Sequence, residues 1–244
     1  MRGASSGDGH QVVTPPKAML LAAGRGERLR PITDTVPKPL VDIAGKPLIV
    51  YHLEALAAAG IREVIVNLSW LGGQIRSALG SGARYGVRIT YSDEGPEPLE
   101  TGGGIFQALP ALGPDPFLVI NADIWLDMDL RGYAPLADDA DARIVLTSNP
   151  EHNPQGDFGL EEGRVVERAS DRLTYAGVGL YRPEFFAGCR PGRFPLLPLL
   201  RRAIAAGRLR GERFDGPWFD AGSPERLARL EAWLRARGDR PGPH

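Results

Sequence analysis

Short apolar runs alternate with segments of helical periodicity over the first half of the chain, and this alternation constrains the fold more than any other feature. The apolar runs, each predicted to be a strand, are residues 18–22, 63–67, 87–91 and 117–120. The segments with helical spacing between them are residues 47–59, 70–79 and 101–109. A βαβαβαβ order is typical of a parallel sheet covered by helices.

The second half of the chain is less regular. Its predicted strands are residues 143–147, 158–161, 164–167 and 175–181, and its predicted helices are residues 195–206 and 224–237. No linker separates the halves, so we predict one α/β domain over residues 17–238, with a Rossmann-like mixed, mainly parallel sheet and helices on both faces. Residues 1–16 and 239–244 carry few packing residues and are predicted to be disordered extensions.

The composition excludes several classes of protein. The 244 residues include 29 Lys and Arg against 30 Asp and Glu, a balance that argues against a dedicated binder of nucleic acid or of an anionic membrane. No apolar run approaches the roughly 18 residues of a membrane span, and no signal peptide is recognisable. Cys189 is the only cysteine, so neither a disulfide framework nor a cysteine-rich zinc site is expected. These features predict a cytoplasmic enzyme or ligand-binding protein.

The segment of residues 21–40, LAAGRGERLRPITDTVPKPL, follows the first predicted strand directly, where ligands of open α/β sheets bind. Gly24 and Gly26 allow the backbone to approach a phosphate closely, so that its N–H groups can point at the oxygens. Donors suited to a polyphosphate in this segment are Arg25, Arg28, Arg30 and Lys38. Taken alone, a cluster of Gly and Arg is equally typical of a plain surface loop.

Two familiar nucleotide motifs do not match this segment. A dinucleotide fingerprint requires a third glycine where Leu29 stands, and a Walker A loop requires Ser or Thr where Pro47 follows Gly45 and Lys46. The prolines around Lys38 instead make the segment resemble LAAGxGxRLxP…PKPL, the signature of the sugar-1-phosphate nucleotidyltransferases. That resemblance covers nearly the whole chain.

The resemblance implies that the glycine-rich loop wraps a nucleoside triphosphate. Arg28 and Lys38 would then bind its phosphates and act in catalysis, together with Asp123. The nucleotide-binding residues that the resemblance implies in this segment are Leu21, Ala22, Ala23, Gly24, Gly26, Glu27, Arg28 and Lys38.

A second glycine-rich segment, PLETGGGI at residues 98–105, opens a predicted helix. By itself it is typical of a flexible loop, or of backbone that lies against a flat or anionic ligand. The resemblance implies that Glu100, Thr101 and Gly102 bind the base and ribose. The sequence LETGGG is similar to the branch that transfers UMP from UTP to N-acetylmuramate 1-phosphate in cell-wall sugar salvage. It differs from the Gly-Thr-Ala type of the dTDP-glucose synthases.

Two acidic residues are candidate ligands of Mg²⁺. Asp123 follows an apolar strand in the sequence Asn-Ala-Asp, where it could also cap the next segment. Next to a phosphate loop, a carboxylate at the end of a parallel strand favours a magnesium site. Asp220 lies in FDAGSPE, which resembles a late family segment, and is the second predicted ligand; Ser223 is predicted to cap the final helix.

The residues that would bind the sugar are less strongly marked. Asp157 lies in the polar turn NPQGDFG and is as typical of a turn as of a sugar contact. The resemblance implies that the residues binding the sugar are Asn121, Asp157, Glu167 and Gly177. The four histidines have no ligand-like spacing, and no role is predicted for them.

The predicted reaction is a Mg²⁺-dependent transfer of UMP from UTP to N-acetylmuramate α-1-phosphate, with release of pyrophosphate. Two alternatives remain open. One is the same fold acting on GTP or dTTP with mannose-, heptose- or glucose-1-phosphate, and the other is an inactive relative that senses nucleotide sugars. The expected partners are UTP and a sugar 1-phosphate, without nucleic acid or membrane, in a monomer or homodimer. No further C-terminal domain is expected.

Overall fold

The computed structural model describes residues 15–131, 133 and 136–238. The predicted extensions at residues 1–16 and 239–244 lie outside the described residues, except for residues 15 and 16. The helices are α1 Ile32–Thr35, α2 Leu48–Ala58, α3 Gly72–Leu79, α4 Glu100–Leu112, α5 Leu197–Ala205 and α6 Pro224–Ala236. None of these described helices is long and apolar enough to cross a membrane.

The strands of the first half are β1 Ala18–Leu21, β2 Asp42–Ile43, β3 Lys46–Pro47, β4 Glu63–Leu68, β5 Arg88–Asp93, β6 Phe117–Asn121 and β7 Ile124–Leu126. Those of the second half are β8 Ala142–Thr147, β9 Phe158–Glu161, β10 Arg164–Val166, β11 Arg172–Tyr181, β12 Leu209–Phe214 and β13 Trp218–Asp220. Nine of them form one sheet in the order β5-β4-β1-β6-β11-β8-β12-β10-β9. The sheet therefore takes strands from both halves of the chain, and the single domain over residues 17–238 stays a prediction.

The sheet is mixed, as predicted. Strands β5, β4, β1 and β6 run parallel, and β11 is antiparallel to both β6 and β8. Because two reversals restore the direction, β8 and its parallel neighbour β12 run the same way as β1. The carboxyl ends of six strands consequently meet at one edge of the sheet, which is where open α/β sheets bind their ligands.

Apolar clusters cover both faces of the sheet. Along β1, Ala18 and Leu20 point into one cluster and Met19 points into the other, as the period of two in a strand requires. Helices α2 and α3 contribute to the first cluster, and α4 and α5 contribute to the second. The prediction of helices on both faces is confirmed.

A third apolar cluster packs together the segments that extend beyond the carboxyl edge of the sheet. Strands β7 and β13 pair as a short antiparallel ribbon, with Ile124 opposite Asp220. Trp125 of this ribbon contacts Trp233 of α6, with ring centroids 4.8 Å apart. Leu29 after the glycine-rich loop is buried in the same cluster, so the loop, the ribbon and α6 share one apolar base.

Candidate active site

A cavity of about 810 Å³ surrounds the glycine-rich loop at the carboxyl edge of the sheet. Residues 21–28 form one wall, and parts of residues 94–101 form another. Lys38, Asn121 and Asp123 also line it. The structure thus brings the first glycine-rich segment, the first residues of the second and the Asn-Ala-Asp segment around one space, which we call the loop cavity.

An ion pair joins the two most specific side chains of the loop cavity. Lys38 Nζ donates a hydrogen bond to Asp123 Oδ2 at 2.7 Å. The Lys38 side chain is 8% exposed and that of Asp123 is 41% exposed, so the ammonium is buried while the carboxylate faces the cavity. Lys38 lies between Pro37 and Pro39 and begins a 3-10 turn over Lys38–Leu40, from which its side chain reaches Asp123 after β6.

The two glycines of the loop are required for different reasons. Gly26 has φ +66°, and a Cβ added there would lie 2.9 Å from Thr33 Cγ2 and 3.1 Å from Lys38 Cβ. At Gly24, by contrast, a Cβ would meet nothing within 4 Å, because that residue faces the open cavity. Gly26 is therefore a requirement of backbone conformation and packing, whereas Gly24 leaves space beside the backbone.

Trp70, which lies two residues before α3, contacts the outer side of this loop. Trp70 Nε1 donates a hydrogen bond to Thr33 O at 3.0 Å, and the Arg25 guanidinium lies over the indole ring, 4.8 Å from its centroid. Thr33 Oγ1 in turn donates to Gly26 O at 2.8 Å. Arg28 is exposed on the cavity wall. Arg25 and Arg28 therefore both lie at the loop. Among the described residues, no carboxylate of the loop pairs with Arg28.

Two residues that sequence reasoning missed join the two glycine-rich segments. Asn67 Oδ1 accepts a hydrogen bond from Ala22 N at 2.6 Å, and its amide donates to Glu94 Oε1 at 2.6 Å. Glu94 Oε2 accepts from Leu99 N at 2.7 Å. Burial raises the pKa of Glu94, although these donors oppose the shift. Asn67 ends a strand that was predicted, but nothing in its local sequence indicated this bridge.

The three glycines of LETGGG serve packing inside the protein. A Cβ at Gly102 would lie 2.6 Å from the Phe194 ring, and Gly103 N donates to Phe194 O at 3.0 Å. Gly104 lies against Glu94. Gly102 is absent from the cavity wall described above, while Glu100 and Thr101 belong to it.

Glu100 is the residue where this helix begins, and its backbone is unusual. Its φ is +61°, a conformation that non-glycine residues seldom adopt. Its carboxylate forms an ion pair with Arg193, with 2.9 Å between Nε and Oε1, and both residues line the loop cavity.

Asp220 lies beside Asp123 and also contacts residues of α6 and of the loop after β8. Ala221 N donates to Asp123 O at 2.9 Å, so the two acidic residues are neighbours across the β7–β13 ribbon. Asp220 Oδ2 contacts Arg226 Nη1 at 3.0 Å and His152 Nε2 at 3.1 Å. Asp220 Oδ1 is buried and has no hydrogen-bond partner in the described part of the chain.

Gly222 lies where Asp220, Arg226 and Arg28 converge. A Cβ at Gly222 would lie 2.5 Å from Asp220 Oδ1, 2.6 Å from Arg226 Nη2 and 2.9 Å from Arg28 Nη2. Because Gly222 has no side chain, the unpartnered Oδ1 of Asp220 and the guanidinium of Arg28 can both lie next to it.

Two histidines also lie near this region, although no role was predicted for them. His152 contacts Asp220, and buried His52 Nε2 lies 2.8 Å from the carbonyl of Ile124.

A second cavity of about 690 Å³ adjoins the ribbon at Asp220. Its walls come from the carboxyl end of β8 and the following loop, from β13 and from the first turns of α6. Asp220 lines this second cavity, whereas Asp123 lines the loop cavity. The two cavities therefore lie side by side along the carboxyl edge, with an acidic residue at each side of the ribbon.

The predicted sugar residues are only partly brought together. Asn121 lines the loop cavity, and Gly177, with φ +79°, lies against the Asn121 side chain. Asp157 is engaged by the protein, because its Oδ2 accepts from Tyr175 N at 2.8 Å. Glu167 pairs with Arg201, with 2.7 Å between Oε1 and Nε. Neither Asp157 nor Glu167 lines the two cavities described above.

Comparison with known proteins agrees with this arrangement. Residues 17–169 match the family model described as Nucleotidyl transferase. A protein of Neisseria meningitidis serogroup B named N-acetylmuramate alpha-1-phosphate uridylyltransferase is 48% identical over 224 residues, covering 88% of this chain and 97% of the relative. A Caulobacter vibrioides protein of the same name is 37% identical over 236 residues, covering 90% of this chain and 97% of the relative.

Solved structures show the same fold. HddC from Yersinia pseudotuberculosis, solved in complex with GMP-PN, has a TM-score of 0.76 and 23% identity, covering 90% of this chain and 99% of that chain. The family match over most of the described sheet and the two relatives confirm the resemblance seen in the sequence. The chain belongs to the nucleotidyl transferase family.

Proposed function

We propose that the chain transfers UMP from UTP to N-acetylmuramate α-1-phosphate and releases pyrophosphate. The observation that carries this proposal is the 48% identity to the Neisseria meningitidis relative with that activity in its name, over 97% of the relative's length. The loop cavity supports it, because it combines a glycine-rich loop, a buried ammonium and an exposed guanidinium, as a triphosphate requires.

The proposed roles follow from where each group lies. The backbone around Gly24 lies open to the loop cavity and would contact the phosphates, with Arg28 beside it. Lys38 would stabilise the negative charge that gathers on the transferred phosphate and on the departing pyrophosphate. Glu100 and Thr101, on the opposite wall, would contact the base and ribose. The role of Gly102 would be to let Phe194 support this segment.

Mg²⁺ is the proposed cofactor, and the residues fit it. Asp220 Oδ1 is buried without a hydrogen-bond partner in the described structure, and Asp123 presents its carboxylate to the loop cavity. Magnesium is commonly held by one or two carboxylates together with phosphate oxygens and water. No group of three or more His, Cys, Asp and Glu side chains forms a metal cage among the described residues. When bound, the ion supplies positive charge to the phosphate oxygens.

The second substrate needs no general base from the protein. A sugar 1-phosphate is ionised near neutral pH, so the chain must mainly orient it in line with the α-phosphorus of UTP. The second cavity adjoins Asp220 and is lined in part by the aromatic residues Trp218 and Phe219, which are suited to contact a sugar ring. We therefore place the sugar of the second substrate in this cavity, with Asn121 near its phosphate.

The test is pyrophosphate release in the presence of Mg²⁺. UTP, dTTP, GTP, CTP and ATP are each combined with N-acetylmuramate, N-acetylglucosamine, mannose, heptose and glucose 1-phosphates. We expect turnover with UTP and N-acetylmuramate 1-phosphate that EDTA removes and Mg²⁺ restores. Turnover confined to GTP with mannose or heptose 1-phosphate would overturn the proposed substrates, and binding of UTP without turnover of any pair would favour a sensor. The variant Asp123→Asn, purified in parallel, controls for contaminating enzymes.

A further inference from the structure

The proposed substrate carries a carboxylate on a lactyl ether at C3 of its sugar, and a selective enzyme needs a cation to recognise it. This inference rests on the proposed function. The candidate cations on the wall of the second cavity are His152, Arg226 and Arg229. Their existing partners decide which of them is free to accept another carboxylate.

Two of the three are already paired with Asp220, one of the proposed ligands of Mg²⁺. Arg226 and Asp220 form an ion pair in which both side chains are only 17% exposed. Breaking such a buried pair is costly, since it leaves a charge without a partner. His152 Nε2 also contacts Asp220, at 3.1 Å. Both groups orient Asp220 and cannot turn to the sugar without releasing it.

Arg229 is in a different position. Its two terminal nitrogens each lie 3.1 Å from Glu151 Oε2, and this pair is at the surface, with the side chains 64% and 81% exposed. Ion pairs at such exposure contribute little to stability and are readily exchanged. Arg229 can therefore leave Glu151 for a carboxylate that enters the cavity, at little cost in free energy.

The other acids around the cavity leave Arg229 available. Asp215 pairs with Arg213, with 2.7 Å between Oδ1 and Nε. The Ser223 side chain donates to Glu225 and lowers its pKa. Because Arg226 and Arg229 are three residues apart on α6, they lie on the same face of the helix, about one turn from each other. A phosphate near Asp220 and a carboxylate at Arg229 would thus be separated by a distance of the order of a helical turn, about 5.4 Å.

We propose that Arg229 binds the lactyl carboxylate of the sugar and makes the enzyme selective for an acidic amino sugar. Its planar guanidinium can bind a carboxylate through two parallel hydrogen bonds, which gives direction as well as charge. Glu151 pairs with the guanidinium of Arg229 when the sugar is absent. The neutral analogue N-acetylglucosamine 1-phosphate lacks the lactyl group and gains nothing from Arg229.

The experiment compares the two sugars in the full-length enzyme. For Arg229→Gln we expect kcat/KM with N-acetylmuramate 1-phosphate to fall about 10- to 100-fold, mainly through KM, because a charge-assisted hydrogen bond is lost. The value for N-acetylglucosamine 1-phosphate should stay unchanged, whether it is kcat/KM as a substrate or the inhibition constant as a competitive inhibitor. Arg229→Lys should recover part of the loss, and Glu151→Gln should lower KM for the acidic sugar by up to about fivefold.

The matched control is Arg235→Gln, which removes an exposed arginine of the same helix that pairs with Glu231 away from the cavity. It should change neither sugar's constants. An equal loss for both sugars, or no loss for either, in Arg229→Gln would overturn the assignment while leaving the proposed function intact. Failure of the unaltered enzyme to use N-acetylmuramate 1-phosphate would instead overturn the proposed function, and the role of Arg229 with it.

Discussion

Lys38 and Asp123 form an ion pair with 2.7 Å between Nζ and Oδ2, although 85 residues separate them in the sequence. The lysine comes from the segment that follows the glycine-rich loop, and the aspartate follows the strand β6 that pairs with β1. The pair therefore couples the proposed phosphate-binding group to a proposed ligand of the metal ion. Replacement of either partner should affect catalysis more than folding.

Asp123→Asn should lower kcat by about 10²- to 10³-fold, because the amide cannot supply negative charge to a magnesium ion. The protein should remain folded, since the asparagine oxygen still accepts the hydrogen bond from Lys38. Asp123→Ala should in addition lower the free energy of unfolding by about 1–3 kcal/mol, because the buried ammonium loses its partner. Pyrophosphate release and denaturant unfolding measure the two effects. Normal activity of Asp123→Asn would remove this residue from the site.

Lys38→Arg should lower kcat/KM by about 10²-fold in spite of the conserved charge. The Lys38 side chain is 8% exposed and passes beside Gly26, so the larger guanidinium has no room to reach Asp123 with the same geometry. Lys46→Arg is the matched control, because Lys46 pairs with Glu54 where the side chains are 26% and 42% exposed. If Lys38→Arg were as active as Lys46→Arg, a compact ammonium would not be needed at this position.

Gly26→Ala and Gly24→Ala should separate the two uses of glycine in the loop. Gly26→Ala should lower the free energy of unfolding by about 1–2 kcal/mol or more, because φ is +66° and the new methyl group meets Thr33. Gly24→Ala should leave stability nearly unchanged and raise KM for UTP, because its methyl group would project into the loop cavity. Thermal unfolding and steady-state kinetics test both. Equal stability of the two variants would contradict the assignment.

His52 should make stability depend on pH below neutrality. Burial lowers the pKa of His52 from 6.5 to about 4, so the folded protein keeps the ring neutral where the unfolded chain binds a proton. The unfolded state therefore binds more protons between about pH 6.5 and pH 4, and the free energy of unfolding falls as pH falls through that interval. A shift of this size corresponds to about 3 kcal/mol below the lower pKa.

The control for this effect is His52→Gln, whose amide can still donate to the Ile124 carbonyl but does not titrate in this range. Denaturant unfolding of both proteins at a series of pH values isolates the histidine, because all other groups are shared. We expect the stability of the variant to decline less steeply from pH 6.5 to pH 4. Parallel curves would mean that His52 is protonated in the folded state as readily as in the unfolded chain.

Local sequence was sufficient for the strands that the first half contributes to the large sheet. Strands β1, β4 and β6 were predicted because their apolar runs are continuous, as burial on both faces requires. Strand β12, LRGERF, was not predicted, because only Leu209 is buried and its charged residues resemble a surface loop. Its place between β8 and β10 comes from pairing across the sheet.

The sequence by itself determined the elements with a clear apolar period and the conformation of the first loop, since glycine conformation, proline turns and apolar periodicity act over a few residues. Only the tertiary structure decided which distant groups meet: Lys38 with Asp123, Asn67 with Glu94, and Asp220 with His152. It also showed that Gly102 lies against Phe194. Such contacts depend on how the sheet orders its strands and on where the β7–β13 ribbon packs on α6, and no local period in the chain encodes either.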